Sequence, residues 1–399
     1  VNGIRIELGD RSLYPELKAD AYLAFAAIAP ASSLVKAAVT SLLTSYAEHG
    51  SSAIFTWIEQ RERLREKLAL LLDTKARHIA LTSGTTRGIS DLALSLPWQS
   101  GDRIVLFQGE FPANVSPWQR AAELFGLELC FVDLAHAVED PGSFLEPLEQ
   151  LLARGVRLVA VSAVQFQTGL RMPLAAISAL CQRYGAELCV DAIQACGVVP
   201  LAVESLGIDY LACGAHKWLL GLEGAGFVYA RPDRARALLP RTAGWLSHEE
   251  GTLFLFGGPG QLRYDRPLKP TLQVLEGGSS NAAGFVALEA GIDPILQLTP
   301  RAIFEHVSQY LDGLEQQLER RGFRSRRSAD PERRSGILAV EPPAGVTAAA
   351  LVGELRARGV VASMPDGLLR FAPHFPSSLG ELPRVAGALD DSLRALGCG

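Results

Sequence analysis

AHKWLLGLEGAGFVYA, residues 215–230, sets a single lysine, Lys217, between His216 and Trp218 in an apolar run punctuated by Gly221, Gly224 and Gly226. Burial in such a run depresses the pKa of an amine, the condition under which lysine serves as nucleophile and base. Twenty-six residues before Lys217, VDAIQACG (190–197) places Asp191 at the carboxyl end of an apolar strand, where a carboxylate is costly unless a cation partners it. A third stretch, LTSGTTRGISDLAL (81–94), reads as strand, then Ser83-Gly84-Thr85-Thr86, then helix. Hydroxyls and free N–H groups at a helix start make a seat for an anion. Taken singly, each stretch has an ordinary structural explanation: a lysine snorkelling beside a glycine turn, an aspartate capping a helix, a Gly-Thr-Thr cap with no ligand.

Outward from these motifs, short β-rich runs at 78–82, 103–107, 128–132, 157–161, 187–191 and 226–230 alternate with helical spacing at 114–125, 143–154 and 174–184. Such alternation predicts an α/β fold, a mostly parallel sheet covered by helices on both faces. Several of the runs are apolar throughout, as strands buried on both faces are. After Asp293 the texture changes to an amphipathic helix at about 300–322, then strands at 336–340, 360–364 and 368–372 with helices at 347–358 and 378–396. The expected organisation is an N-terminal segment (1–30) packing with the small domain, a large domain (31–293) and a smaller C-terminal α+β domain (294–399). The arginine-rich stretch 320–334 reads as a solvated connector, and HEEGTLFLFGGPGQL (248–262) as an active-site loop or a surface excursion.

Composition narrows the class. The 399 residues are 48% hydrophobic, enough for a sizeable core, and 38 basic against 43 acidic residues leave a net charge of -5 without a basic stripe. Nucleic acid is not an expected partner. Six cysteines are scattered with no CxxC pair, which fits core thiols in a reducing cytoplasm and no metal site. The N-terminus carries charge where a signal peptide is apolar, and no membrane-spanning run is found. Beginning on Val rather than Met, the chain is expected to be a processed or partial form.

In this order and spacing the three motifs resemble the class V aminotransferase superfamily, the pyridoxal 5′-phosphate (PLP) enzymes of fold type I that include cysteine desulfurases, kynureninase and isopenicillin N epimerase-like proteins. The resemblance runs from about Tyr22 to Leu393. It implies a fold-type I transferase fold with a seven-stranded-type sheet, and a cytoplasmic homodimer with a shared active site. Lys217 matches the Schiff-base lysine, Asp191 the partner of the pyridinium nitrogen, and Gln194 the side chain near the phenolic oxygen. Gly84, Thr85, Thr86 and His216 match positions near the phosphate, and Ser279 or Ser280 in LEGGSSN (275–281) the hydroxyl reaching the neighbouring subunit's phosphate. In GEFPANVSPW (109–118), Phe111 stands where desulfurases stack a histidine, and in LLRFAPHF (368–375) Arg370 stands where the family binds the substrate α-carboxylate. Simple core packing for Phe111 and a surface ion pair for Arg370 are the plainer alternatives.

Three departures matter. Gly214 stands where relatives often have a hydroxyl, VSAVQFQTG (161–169) leaves open which of Gln165 and Gln167 points inward, and no cysteine lies between Thr347 and Pro365, where desulfurases carry their sulfur acceptor. The implied substrate is a small amino acid acted on at its α-carbon, as a transferase by transamination or as a lyase by β-elimination of a cysteine-like substrate without a persulfide cysteine. Racemisation stands behind these. A non-catalytic PLP-fold binding protein is the alternative of another class, opposed by the intact Lys217, Asp191 and Arg370. A nicotinamide-dependent dehydrogenase lacks its GxGxxG.

Overall fold

The computed structural model describes residues 5–140 and 142–398; residues 1–4 of the expected N-terminal segment lie outside these. Its strands in chain order are β1 (Ala21–Tyr22), β2 (Ile79–Thr82), β3 (Arg103–Phe107), β4 (Glu128–Val132), β5 (Leu158–Ser162) and β6 (Glu187–Asp191). They continue with β7 (Tyr210–Gly214), β8 (Gly226–Ala230), β9 (Arg324–Ser325), β10 (Leu338–Glu341), β11 (Val360–Val361) and β12 (Leu369–Phe371).

A seven-stranded sheet in the order β2-β8-β7-β6-β5-β3-β4 forms the centre, with β8 alone running against the rest. Its inner strands are apolar because both faces are covered, and successive residues feed two separate cores. Val105, Val159, Val161, Leu188, Val190 and Leu211 enter one core, together with Leu148 and Ile177 from the helices Leu145–Leu152 and Leu174–Tyr184. Ile104, Leu106, Leu158, Ala160, Cys189 and Ala212 enter the other, against Ile89, Leu92 and Trp118 from the helices Thr85–Ser95 and Ser116–Phe125. The mostly parallel α/β sheet predicted from the sequence is therefore observed, with helices on both faces.

The predicted strands fall within a residue or two of β2 to β6 and β8. Strand β7 is the one strand of the central sheet missed, and outside it the two-residue β1 and β9 were not expected either. YLACG is as apolar as its neighbours, but the chain between β6 and β7 crosses in turns, so the strand–helix alternation that flags the other strands is interrupted. Because β2, β3, β5, β6 and β7 point the same way, their carboxyl ends meet at one edge, the usual ligand edge of open α/β sheets.

At the C-terminal end β9, β10 and β12 form an antiparallel sheet in the order β12-β10-β9. The strand expected at 360–364 is shorter, because β11 pairs only with β1 in parallel register before the chain turns into a hairpin closed by Ser363 and Arg370. The N-terminal segment thus joins this part of the molecule through Ala21, Tyr22 and Ala24. The 320–334 stretch is not simply solvated. The Arg327 side chain is 2% exposed and bonds Asp312 at 2.5 Å and Glu315 at 3.0 Å, and Arg321 grips Asp390 with two bonds of 2.7 Å. The 248–262 stretch contains one short helix, Leu253–Phe256, and exposes much of its apolar surface.

One glycine sets the approach of two site segments. Gly197 sits at φ +107, and a Cβ there would lie 2.3 Å from the Trp218 carbonyl oxygen, one residue after Lys217. Substitution Gly197→Ala must push that backbone away and strain its own. It is expected to lower the stability of the apoprotein by about 2–4 kcal/mol in urea unfolding.

Candidate active site

Five strand ends supply the site. After β7 the chain turns directly into Ala215-His216-Lys217-Trp218, and Asp191 ends β6. Lys217 is half-buried, and loss of water pulls its pKa down to about 8, with the Asp191 charge opposing that fall and Arg370 adding to it. Asp191 is 2% exposed. Burial raises its pKa, opposed chiefly by the Ile193 N–H that donates to Oδ1 at 2.9 Å. Lys217 and Asp191 influence each other through space, and no hydrogen bond or ion pair joins them among the described residues.

Above Lys217 stands Phe111, whose ring centre is 5.6 Å from Nζ. Phe111 is 44% exposed, too much for the core-packing alternative. Gln194 is buried and fixed at both ends: its Nε2 donates to Ala26 O at 3.0 Å and its Oε1 accepts from Trp218 Nε1 at 2.8 Å. One amide hydrogen remains for another acceptor. The tether continues through His374, which sequence reading left without a role. Its Nδ1 accepts from Phe375 N at 2.7 Å, so its Nε2 carries the hydrogen and donates to Trp218 O at 3.0 Å. Burial holds this imidazole at a pKa of about 4, neutral at any working pH. Its only sequence signal was a histidine inside an otherwise apolar stretch.

Gly84, at φ +149 and ψ 178, occupies backbone space open essentially to glycine alone. It leads into the helix Thr85–Ser95, whose start has no side-chain cap. Thr85 Oγ1 is buried without a hydrogen-bond partner among the described residues. Gly214 lies against it: a Cβ on Gly214 would come 3.2 Å from Thr85 Oγ1 and 3.5 Å from His216 Nδ1. His216 is half-buried, and burial, then the Lys217 charge, lower its pKa. Thr86 and Ser279 are exposed. Ser279 precedes the helix Ala282–Leu298 and, among the described residues, shares no hydrogen bond with the rest of the site.

Arg370, on β12, is 5% exposed and forms no ion pair among the described residues, which removes the surface-pair alternative. Nε donates to Ser363 Oγ at 3.0 Å and Nη1 to Phe166 O at 2.7 Å, leaving Nη2 without a protein partner among the described residues. Burial lowers its pKa, yet a guanidinium remains charged at neutral pH. The open question about the glutamines resolves geometrically. Gln165 is buried and donates to Glu110 at 3.1 Å, while Gln167 faces outward and donates to Asp366 at 2.6 Å.

These groups fit PLP. A capless helix start with an orphaned hydroxyl suits a phosphate, a buried carboxylate bound only by one N–H suits a pyridinium, and a low-pKa amine suits an aldehyde. No helix among the described residues is long and apolar enough to cross a membrane, and no metal-ligating cluster occurs among them.

The family model described as Aminotransferase class-V matches residues 21–367, and the chain belongs to this family of PLP-dependent enzymes. It is 30% identical to isopenicillin N epimerase of Streptomyces clavuligerus, over 82% of this chain and 83% of that protein. It is 29% identical to a probable cysteine desulfurase of Methanothermobacter thermautotrophicus, over 73% and 70% of the two chains. Among solved structures it resembles the cystine C–S lyase C-DES in complex with cysteine persulfide, with TM-score 0.83, 23% identity and coverage of 93% and 97%. A variant of C-DES with glycine covalently linked to PLP gives TM-score 0.87 at 23% identity, covering 96% and 99%. The fold is that of fold-type I PLP enzymes.

The free amine is the form that attacks an aldehyde, so a lowered pKa moves cofactor capture toward neutrality. The rate of PLP incorporation into apoprotein is expected to rise with a midpoint near pH 8, not near the ordinary lysine value of about 10.4. Borohydride should fix the cofactor on Lys217, and Lys217→Ala should give no reducible adduct by mass spectrometry.

Proposed function

We propose that this enzyme acts at the α-carbon of a small amino acid, with transamination as its reaction. The observation that carries the reading is the half-buried amine of Lys217 just after β7, which burial pulls down to a pKa of about 8 and which feels the charges of a buried carboxylate and of a buried arginine with a free edge. PLP, when bound, supplies an electron sink for the carbanion left at the α-carbon. Lys217 holds the cofactor, and once displaced its Nζ takes the α-proton and returns it. Asp191 keeps the pyridine nitrogen protonated. Gln194 turns its remaining N–H to the phenolic oxygen, and Phe111 covers the ring without acting as an acid. Gly84, Thr85, Thr86 and His216 bind the phosphate. The Nη2 edge of Arg370 takes the α-carboxylate.

Proton transfer between carbon atoms needs one mobile base and no leaving-group acid, which is what these residues offer. Elimination is the second reading, favoured by the likeness to a cystine C–S lyase and to desulfurases. A persulfide step is disfavoured in either case, because it needs an accessible thiolate. Cys181, Cys189, Cys196 and Cys213 are buried, and burial pushes the Cys181 thiol up to about 12. The half-buried Cys130 and Cys398 lie within edge strand β4 and beyond the last helix, Leu382–Ala395, not at the strand ends that carry the site. Residues between Thr347 and Pro365 form a helix, β11 and the start of the Ser363–Arg370 hairpin, with no cysteine.

Amino-group exchange between a panel of small amino acids and a 2-oxo acid is the expected result with holoenzyme. Arg370→Ala should raise KM for the amino acid by about 10-fold to 100-fold, the loss of a charge-assisted pair. Pyruvate without exchange from cystine would move the assignment to the lyase, and alanine with a protein-bound persulfide would overturn both.

We further propose a homodimer in which Ser279 reaches the phosphate bound by the partner subunit. Its support is the exposed apolar surface of Phe55 and Phe256, whose rings meet at a tilt with centres 5.2 Å apart, with Leu262 and Tyr264 63% and 91% exposed. Sedimentation at micromolar concentration should give a dimer that PLP tightens. A monomer with full cofactor occupancy would refute it.

A further inference from the structure

Glu110 is not among the residues assigned above to cofactor or substrate, yet it is a carboxylate only 8% exposed, with burial raising its pKa. It stands beyond the end of β3 and reaches across to the end of β5. Ser162 donates to it twice, through N–H to Oε1 at 2.7 Å and through its hydroxyl to Oε2, and Gln165 Nε2 donates to Oε1 at 3.1 Å. Its neighbour Phe111 packs edge-on against Phe166, with ring centres 5.2 Å apart. The carbonyl of that same Phe166 holds Arg370 Nη1 at 2.7 Å. Residues 110 and 111 therefore grip the segment 162–166 at three points, and the segment in turn orients the guanidinium from a different sheet.

We propose that Glu110 is a positioning residue for substrate recognition: by tying Ser162 and Gln165 it fixes the Phe166 carbonyl, and through it the pose in which Arg370 presents Nη2 to the substrate carboxylate. The inference rests on Arg370 being the carboxylate receptor. A carboxylate suits the place because three donors converge where the β5 ladder ends, and its two oxygens offer about four acceptor positions. Ser162 lies directly opposite Asp191 in the β5–β6 register, so Glu110 could instead act by its charge on Asp191, which feels it. Glutamine separates the two. Glu110→Gln keeps an oxygen for the Ser162 and Gln165 N–H groups, and its amide can donate to a rotated Ser162 hydroxyl, so it preserves the anchor while removing the charge. Glu110→Ala removes both.

The probe is a pair of carbonyl reagents applied to holoenzyme, aminooxyacetate and methoxyamine. Each displaces the lysine amine and captures the cofactor as an oxime, and only the first carries a carboxylate. The ratio of their second-order rate constants, followed by loss of the visible band, reads the carboxylate seat whatever the natural substrate is. A ratio well above one is expected for the unmodified enzyme, falling sharply in Arg370→Ala. Glu110→Ala should lower the ratio by about tenfold, as for loss of a buried hydrogen-bonded anchor. Glu110→Gln should stay within about twofold of the unmodified enzyme, and Glu110→Ala should change nothing further once Arg370 is alanine. In the apoprotein, amide hydrogen exchange across 163–167 should quicken in Glu110→Ala and not in Glu110→Gln. If Glu110→Ala does not accumulate folded, Gln165→Leu cuts one of the ties and should lower the ratio in the same direction. An undiminished ratio in Glu110→Ala, equal damage from Glu110→Gln, or additivity with Arg370→Ala overturns the proposal. If Arg370→Ala itself leaves the ratio unchanged, the assignment of Arg370 falls first and Glu110 with it.

Discussion

Burying an amine and a carboxylate at one sheet edge while keeping them from pairing is the constraint on which the rest of this structure depends. Each buried ion costs several kcal/mol of lost hydration, and a direct ion pair would be the simplest relief. Such a pair would also quench the amine. Here Asp191 is fixed by an N–H two residues on and Lys217 is carried by a different strand end, and among the described residues no hydrogen bond or ion pair joins the two. A ligand with an aldehyde at one end and a basic ring nitrogen at the other relieves both strains at once. On the proposed roles of Lys217 and Asp191, the unfavourable desolvation in the apoprotein would favour both cofactor binding and a reactive free amine.

Keeping two such groups apart requires stiff supports, and the structure draws them from distant parts of the chain. Trp218 is held through its indole by Gln194 and through its carbonyl by His374, and Gln194 is held by Ala26. One chain of hydrogen bonds thus ties the lysine turn to the helical turn after β6, to the N-terminal segment and to the stretch after β12. Buried networks of this kind are worthwhile only when every member is satisfied. His374 meets that demand by using one nitrogen as acceptor and the other as donor, which burial enforces by keeping the ring neutral. The N-terminal segment and the stretch after β12 are therefore part of the scaffold of the candidate site, although neither lies within the central sheet.

Much of this was legible in the sequence wherever one stretch of chain carried its own signal. Apolar strands separated by helical spacing revealed the sheet, and Lys217, Asp191 and the Gly84-Thr85-Thr86 turn sit where local pattern put them, at strand ends. Strand β7 was not legible because no helix precedes it. Glu110, Ser162, Phe166 and His374 were hidden for a different reason. Each works through a partner at least 52 positions away in sequence, as Glu110 does with Ser162, and a buried polar residue looks the same in a sequence whether or not its partner exists. The arginines at 320–334 show the reverse error: a charge run in a turn-rich stretch suggests solvent, but Asp312, Glu315 and Asp390 on neighbouring helices draw several of them inward.

The missing cysteine also gains a structural meaning. The chain that would have to carry a sulfur acceptor toward Lys217 is instead closed tightly, with Ser363 and Arg370 exchanging two backbone bonds of 3.0 and 2.7 Å. At its tip Asp366 adopts φ 49 and ψ 41 and accepts a bond from Gln167. A loop bearing a nucleophile must reach the substrate and withdraw again, which calls for length and few contacts. This hairpin has neither, since its two ends are bonded to each other and Ser363 Oγ also accepts from Arg370 Nε. On the proposed role of Arg370, this closure would serve carboxylate recognition, and a segment held in this way does not suit a swinging thiol. The departure from the desulfurase pattern is thus more than one absent side chain, because the backbone in this region is itself closed into a short hairpin between Ser363 and Arg370.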